Sequence, residues 1–225
     1  MADPVAAVAA LDEPNRRRLY DFVVRQTAPT SKDEVAQAVG LPRTTAAFHL
    51  DKLVEMGLLT VVHQRRTGRS GPGAGRPAKL YRRSEEQIAV SLPDRRYEAA
   101  SHLLTDALME AESTGEPARE ILNRRAYEWG SALAARSSGD VTEALAGSGF
   151  EPRAEAGSIL LGNCPFHSLA KRHAQLVCGM NLCLVSGLLD GIEASGVSAR
   201  LAPSPGHCCV RLDQAPSSSS PSVSR

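Results

Sequence analysis

The sequence predicts an α+β chain, mainly α, in three parts: a helical front closed by a basic hairpin, a helical middle, and a small mixed α/β unit that carries cysteines. Three observations predict it. Apolar residues recur at helical spacing through residues 4–56 and again through 97–133. Seven basic residues with no acid among them (Arg65, Arg66, Arg69, Arg76, Lys79, Arg82 and Arg83) lie between Val61 and Ser84, and after Gly149 short strand-like runs flank one long helical segment. The expected boundaries are 1–86, 87–148 and 149–212. The serine-rich tail, 213–225, cannot bury enough to order itself.

In order, residues 4–26 hold two helices split at Asp12-Glu-Pro-Asn15, with Pro14 near the start of the second. Leu11, Leu19, Phe22 and Val23 face one side, and Arg16, Arg17 and Arg18 the other. Ser31 and Glu34 form a capping box for a short helix that ends at Gly40. Leu41-Pro-Arg-Thr44 is a turn. A helix from about Thr44 to Met56 follows, with Ala47, Leu50, Leu53 and Val54 inward and Gly57 marking its end. Leu58–Gln64 and Lys79–Arg83 read as strands, joined by an Arg/Gly/Pro-rich tip too polar to pack. Tyr97, Ala100, Leu104, Ala107 and Ala111 form one narrow stripe, and Ala118, Leu122, Ala126, Trp129 and Leu133 another. Such alanine-rich faces suit close helix packing, including packing between two chains. The last part offers strands at 150–155, 158–161, 199–202 and 208–212 around a helix from about Pro165 to Ala194, with a break expected at Gly179.

Composition bounds the function. A hydrophobic fraction of 42% and a charged fraction of 23% describe an ordinary globular chain. The longest apolar run, Leu182–Leu189, is interrupted by Ser186 and Gly187 and falls short of the roughly 20 residues of a membrane span. The start, Met1-Ala-Asp-Pro4, lacks the basic-then-apolar pattern of a signal peptide, so a cytoplasmic protein is expected. There the five cysteines are expected as free thiols, available as ligands.

Helix, helix, short helix, turn, longer helix and basic hairpin is the order of a winged helix-turn-helix, whose second motif helix enters the major groove of double-stranded DNA. On that reading Arg43, Thr44, Thr45 and His49 reach base edges and phosphates from the start and outer face of the helix, and Lys52 touches phosphate. Arg65, Arg66, Arg69, Arg76 and Lys79 supply the wing, with Gly75-Arg76-Pro77 slim enough to enter a narrow minor groove. These residues resemble the ArsR-like branch of bacterial winged-helix regulators over roughly residues 4–85. Leu11-Asp-Glu-Pro-Asn-Arg-Arg-Arg-Leu19 is similar to the family's opening helices, Thr44-Thr-Ala-Ala-Phe-His-Leu50 to its recognition helix, and Gly75-Arg-Pro-Ala-Lys-Leu-Tyr81 to its wing.

Thiolates hold iron–sulfur clusters and accept zinc equally. Asn163-Cys164-Pro165 places a sulfur at an expected helix N-terminus, where its pKa should fall. Cys178 precedes Gly179, and Gly206-His-Cys-Cys209 enters a strand, where alternation lets only one of Cys208 and Cys209 face a shared site. A straight helix from 165 to 178 would hold Cys164 and Cys178 roughly 20 Å apart, so a common site requires the helix to start late, break or fold back. Cys183, between Leu182 and Leu184, reads as core. His167 and His173 read as surface or supporting residues, and Trp129 as core. The segment 150–212 resembles the C-terminal domain of SufR-type regulators through Asn163-Cys-Pro165, Val177-Cys178 and Gly206-His-Cys208. That resemblance implies Cys164, Cys178 and Cys208 as ligands of an iron–sulfur cluster, with no fourth cysteine at a fixed position. Zinc, or no metal at all, is the alternative.

The combined expectation is a homodimeric transcriptional repressor, not an enzyme, whose operator binding is set by the C-terminal cysteines. The first rival is the same DNA-binding architecture with a small-molecule pocket. The second is an enzyme with Cys164 as nucleophile and His167 or His207 as base.

Overall fold

The structure, a computed structural model, describes residues 3–65, 77–137, 139–155 and 157–214. The chain divides into two compact units, 1–90 and 91–225.

In the first unit, α1 (Pro4–Ala10) and α2 (Pro14–Val24) are separated where the Glu13 carboxylate caps α2, accepting from the N–H groups of Asn15 at 3.1 Å and Arg16 at 2.6 Å. The capping box forms as expected at α3 (Lys32–Val39): Ser31 Oγ accepts from the Glu34 N–H and Glu34 accepts from the Ser31 N–H at 2.8 Å. Gly40, at φ 70°, ends α3 in the left-handed region. Then come α4 (Arg43–Glu55) and the antiparallel strands β2 (Leu59–Gln64) and β3 (Ala78–Arg83); a two-residue β1 (Thr30–Ser31) pairs with the free edge of β3. Leu19, Val35, Leu50, Leu53, Leu59 and Tyr81 form the core. On α4 it is Ala46, not Ala47, that is fully buried with Leu50 and Leu53. The arginines of α2 are not simply solvated. Arg16 and Arg17 donate to the Ala10 and Leu11 carbonyls at the end of α1, and Arg18 donates to the Val39 carbonyl at the end of α3, where cations favour the helix dipole.

In the second unit, α5 (Tyr97–Thr114), α6 (Ala118–Ala134) and α7 (Val141–Gly147) lead into a four-stranded antiparallel sheet. Its strands are β4 (Pro152–Glu155), β5 (Ser158–Leu161), β6 (Val197–Leu201) and β7 (Val210–Gln214), in the order β4-β5-β7-β6. Between β5 and β6 run α8 (His167–Arg172) and α9 (Ala174–Gly191). One core joins α5, α6, α9 and the sheet through Ala107, Leu122, Ala126, Leu161, Phe166, Met180, Leu184 and Leu212.

The expected break at Gly179 is not there. α9 runs through Gly179 unbroken, and the helix breaks six residues earlier at His173 (φ −134°, ψ 53°), where α8 turns and packs on α9. α9 is the one helix among the described residues that is long and apolar enough to cross a membrane by length and composition. Its apolar face (Val177, Met180, Leu184, Val185 and Leu188) is buried in the core. Against it, α6 lies so close that a Cβ at Gly187 would sit 2.0 Å from the Tyr127 carbonyl oxygen, and one at Gly130 2.0 Å from that of Leu184.

Candidate nucleic-acid interface and thiol cluster

α3 and α4 are held by shared apolar residues, and the Gly40-Leu-Pro42 turn sets the angle between them. α4 begins after Pro42 with no side-chain cap, so its first N–H groups are free to meet an anion such as a phosphate. Arg43 and Thr44 are exposed there and Thr45 is half-buried; Arg43 Nε lies 3.3 Å from Asp33 Oδ1, both groups well solvated. Lys52 is half-buried one face further on and pairs with Glu55 at 3.0 Å.

His49 does not lie on the outer face. It follows Ala46 by three positions and precedes Leu50, which turns it inward: its side chain is 12% exposed, with Nδ1 3.6 Å from a Glu13 carboxylate oxygen. The outer face carries Phe48 instead, 66% exposed, which the sequence reading passed over. A large apolar ring four residues after Thr44 on a solvated face is the signal that could have found it, and such a ring suits a thymine methyl group.

In the hairpin, Arg65 is exposed at the end of β2. Lys79, beside Tyr81, is engaged within the protein: its Nζ lies 2.5 Å from Asp51 Oδ1, which also accepts from Tyr81 Oη at 2.9 Å. Burial pushes the Asp51 carboxyl up, but the hydrogen bonds from Lys79 and Tyr81 outweigh it and hold the group below the ordinary carboxylate value. Arg66, Arg69 and Arg76 lie outside the described residues.

The second site forms where β5, α9 and the approach to β7 meet. Asn163, just past β5, is 6% exposed and donates to the carbonyls of Asp94 at 2.9 Å and Gly149 at 2.7 Å, while its Oδ1 accepts from Arg95. Arg95 also donates to the Cys164 carbonyl at 3.1 Å, and the Arg96 N–H to that of Pro165 at 3.1 Å. Cys164 is thus fixed by a buried polar network. Across from it, the Cys208 N–H donates to the Leu161 carbonyl at 2.8 Å. The late start of α8 and the break at His173 bring Cys178, in the second turn of α9, back to the same place.

Cys164, Cys178 and Cys208 each lie close enough to a neighbouring cysteine for that neighbour to influence the thiol's pKa. Asn181, fully buried and one turn after Cys178, donates from Nδ2 to Cys208 Sγ at 3.2 Å. Cys208 and Cys209 lie just before β7, which begins at Val210; Cys208 is buried and Cys209 half-buried. Cys183, five residues along α9, touches none of the four and packs at the edge of the core. His167 and His207 are exposed and share with Cys164 and Arg95 a small surface concavity; His173 is also exposed. Trp129 is half-buried, packed against the core at the rim of a groove between α5 and α6.

The thiol pKa values do not fall as the expected helix N-terminus suggested. The hydrogen bond with Cys208 and then burial push Cys164 far up, and the opposing backbone N–H of Phe166 does not compensate. In Cys208 the bond with Cys164 lowers the value, but the bond with Cys209 and burial prevail and push it up to about 11. The donor set, soft sulfurs with an amide N–H behind them, fits a group held by thiolates. Among the described residues no group of three or more His, Cys, Asp or Glu side chains is placed to hold a metal ion.

A family model described as a helix-turn-helix domain matches residues 11–62, the span from the end of α1 into β2. Comparison with curated proteins and with solved structures returned no match. The match and the α3–α4 geometry agree, and the chain carries a helix-turn-helix domain of the kind found in DNA-binding transcriptional regulators.

Proposed function

We propose that this DNA-binding regulator is a cytoplasmic, homodimeric repressor of the SufR type, whose winged helix-turn-helix reads an operator under the control of an iron–sulfur cluster or a metal ion held by Cys164, Cys178 and Cys208. The convergence of these three residues carries the reading: thirteen residues separate the first pair and twenty-nine the second, yet the fold gathers their sulfurs at one place. Bound there, a cluster would supply a charge and an oxidation state that the protein alone lacks.

The residues' own tasks follow from their placement. Asn163 and Arg95 hold the Cys164 loop, and the Asn181 N–H stabilises a thiolate at Cys208. In the first unit, Arg43, Thr44, Thr45 and Phe48 meet the major groove, while Arg65 and the wing track the backbone. Two copies would read half-sites about 34–36 Å apart, one turn of DNA. The Trp129 groove, lined by Ala99, His102, Asp106, Arg125 and Glu128, favours the second reading, a small-molecule effector in place of a cluster.

Anaerobic purification tests the sensor: a coloured protein with iron and acid-labile sulfide is expected, and a colourless one with neither overturns it. For DNA, Arg43→Ala should weaken binding and reduce the slope of log K against log salt by about 0.9, the worth of one phosphate contact. An unchanged slope would remove Arg43 from the interface.

A further inference from the structure

We infer that Asp51, held by Lys79, reads a C·G base pair from α4: its second carboxylate oxygen accepts from the N4 amino group of cytosine, and the Lys79 ammonium faces O6 and N7 of the paired guanine. The inference rests on the proposal that α4 enters the major groove, and it adds a residue that decides which sequence is bound.

Helix geometry places Asp51 on the reading face. Thr44, Phe48 and Asp51 follow at spacings of four and three, which is one stripe of an α-helix, and all three are exposed. A carboxylate in that stripe is out of place if the face only grips the DNA backbone, because phosphates repel it. Nor does stability account for its pairing with Lys79: the side chains of Asp51 and Lys79 are 55% and 45% exposed, and ion pairs so solvated contribute little. A hydrogen-bond donor on a base edge is what such an acid can meet.

The carboxylate is also fixed in advance. Lys79 Nζ and Tyr81 Oη both donate to Oδ1, and Tyr81 is 2% exposed, so β3 sets the rotamer of a side chain on α4. Among the described residues Oδ2 accepts no hydrogen bond. Burial works against ionisation, but the two bonds outweigh it and keep the group an acceptor at both oxygens. Ala47, one turn before Asp51, lines the same concavity with too little side chain to cover the pair. An acceptor beside a donor matches the edge of a C·G pair, where the cytosine amino group lies next to guanine O6. Adenine offers an amino group too, but its partner thymine gives an ammonium one acceptor where guanine gives two. Glu55, a further turn along, fits less well: it ends α4 and, among the described residues, pairs only with Lys52 of the same helix.

The test uses the full chain and a pool of duplexes with a randomised core, selected for binding and then compared one position at a time. The parent should prefer C·G at one position by about 5–150-fold over the other pairs. Asp51→Ala should abolish that preference, keep the preferences elsewhere, and bind unrelated duplex at least as tightly as the parent, since an acid facing phosphates is gone. Asp51→Asn should move the preference from cytosine to adenine, which an amide pairs through N6 and N7. Lys79→Ala should relax the same position, whereas a lysine touching phosphate alone would weaken all sequences alike. Glu55→Ala, which removes an acid one turn away, should keep the parent's preference, and circular dichroism should show every variant folded. The same preference at every position in the parent, Asp51→Ala and Asp51→Asn overturns the reader and leaves DNA binding standing. An A·T preference that Asp51→Ala loses overturns the assignment to cytosine. A parent that selects no sequence from the pool overturns the major-groove reading itself, and this inference with it.

Discussion

Replacing Gly187 with alanine adds one methyl group where α9 meets α6. The new Cβ would lie 2.0 Å from the Tyr127 carbonyl oxygen, 2.8 Å from its carbon and 3.0 Å from its Cα, all backbone atoms that no rotamer change can move. The closest approach is about 1.4 Å short of ordinary contact, so the helices must part along a core that is close-packed on both sides. Overpacking of this kind costs up to about 3 kcal/mol. Alanine recovers about 1 kcal/mol over glycine within a helix, leaving a net loss of about 2 kcal/mol. For a unit of this size that lowers the melting temperature by about 8 °C. Gly179 on the same helix is the control: a Cβ there meets nothing closer than Asn123 Oδ1 at 3.8 Å, so Gly179→Ala should gain about 1 kcal/mol. Trp129 is the only tryptophan and lies on α6, so its fluorescence during denaturant unfolding reads this unit alone. Equal stability of Gly187→Ala and the parent, or the same loss at Gly179, would refute the backbone-contact argument.

Three further outcomes are expected. Glu13→Gln should destabilise the first unit by about 1 kcal/mol through loss of the α2 cap. The N–H groups of Asn15 and Arg16 outweigh burial and lower the Glu13 pKa, so its stabilisation is present above the unfolded value of about 4.3 and disappears as pH falls through the lower folded value. Circular dichroism during acid unfolding should therefore show a weaker pH dependence below about pH 4.3 in Glu13→Gln, and an unchanged profile would exclude the carboxylate. Asp51→Asn should cost no more than about 1 kcal/mol, because Asp51 and Lys79 are each about half exposed, and most of that difference should vanish in high salt. Persistence of the full difference at high salt would place its origin in packing. Asn163→Ala takes the side-chain donor from the buried Gly149 carbonyl and one acceptor from Arg95, which keeps the Asp94 and Cys164 carbonyls, and should cost about 1–3 kcal/mol by Trp129 fluorescence, whereas a neutral effect would mean water replaces the amide.

Local chemistry was legible from the sequence where it acts over a few residues. Ser31 with Glu34, Gly40, and the Asp12-Glu-Pro-Asn15 split all stand where the residue types place them, because capping is decided within one turn. Misplaced features depend on contacts far along the chain. Gly179 has the flexibility to break a helix, but α9 is held straight by α6 and the sheet, and the bend falls at His173, where α8 packs back. His49 belongs by spacing to the inner edge of α4, which only its approach to Glu13 makes plain. In the cysteine unit, three cysteines could be named from their motifs, but the last strand was expected from Cys208, two residues before β7 begins at Val210. The downward pKa expected at Cys164 failed because a neighbouring thiol and burial outweigh an approach to a helix of six residues.

The polar knot around Asn163 reaches further than the loop it fastens. Asp94, Arg95 and Arg96 bind the Cys164 segment through side chain and main chain, and only Ser91, Leu92 and Pro93 separate them from Val90, where the first unit ends. The polypeptide thus leaves its helix-turn-helix and is moored almost at once beside a sulfur. A rearrangement at Cys164 would therefore act first on residues 94–96, at the very start of the second unit.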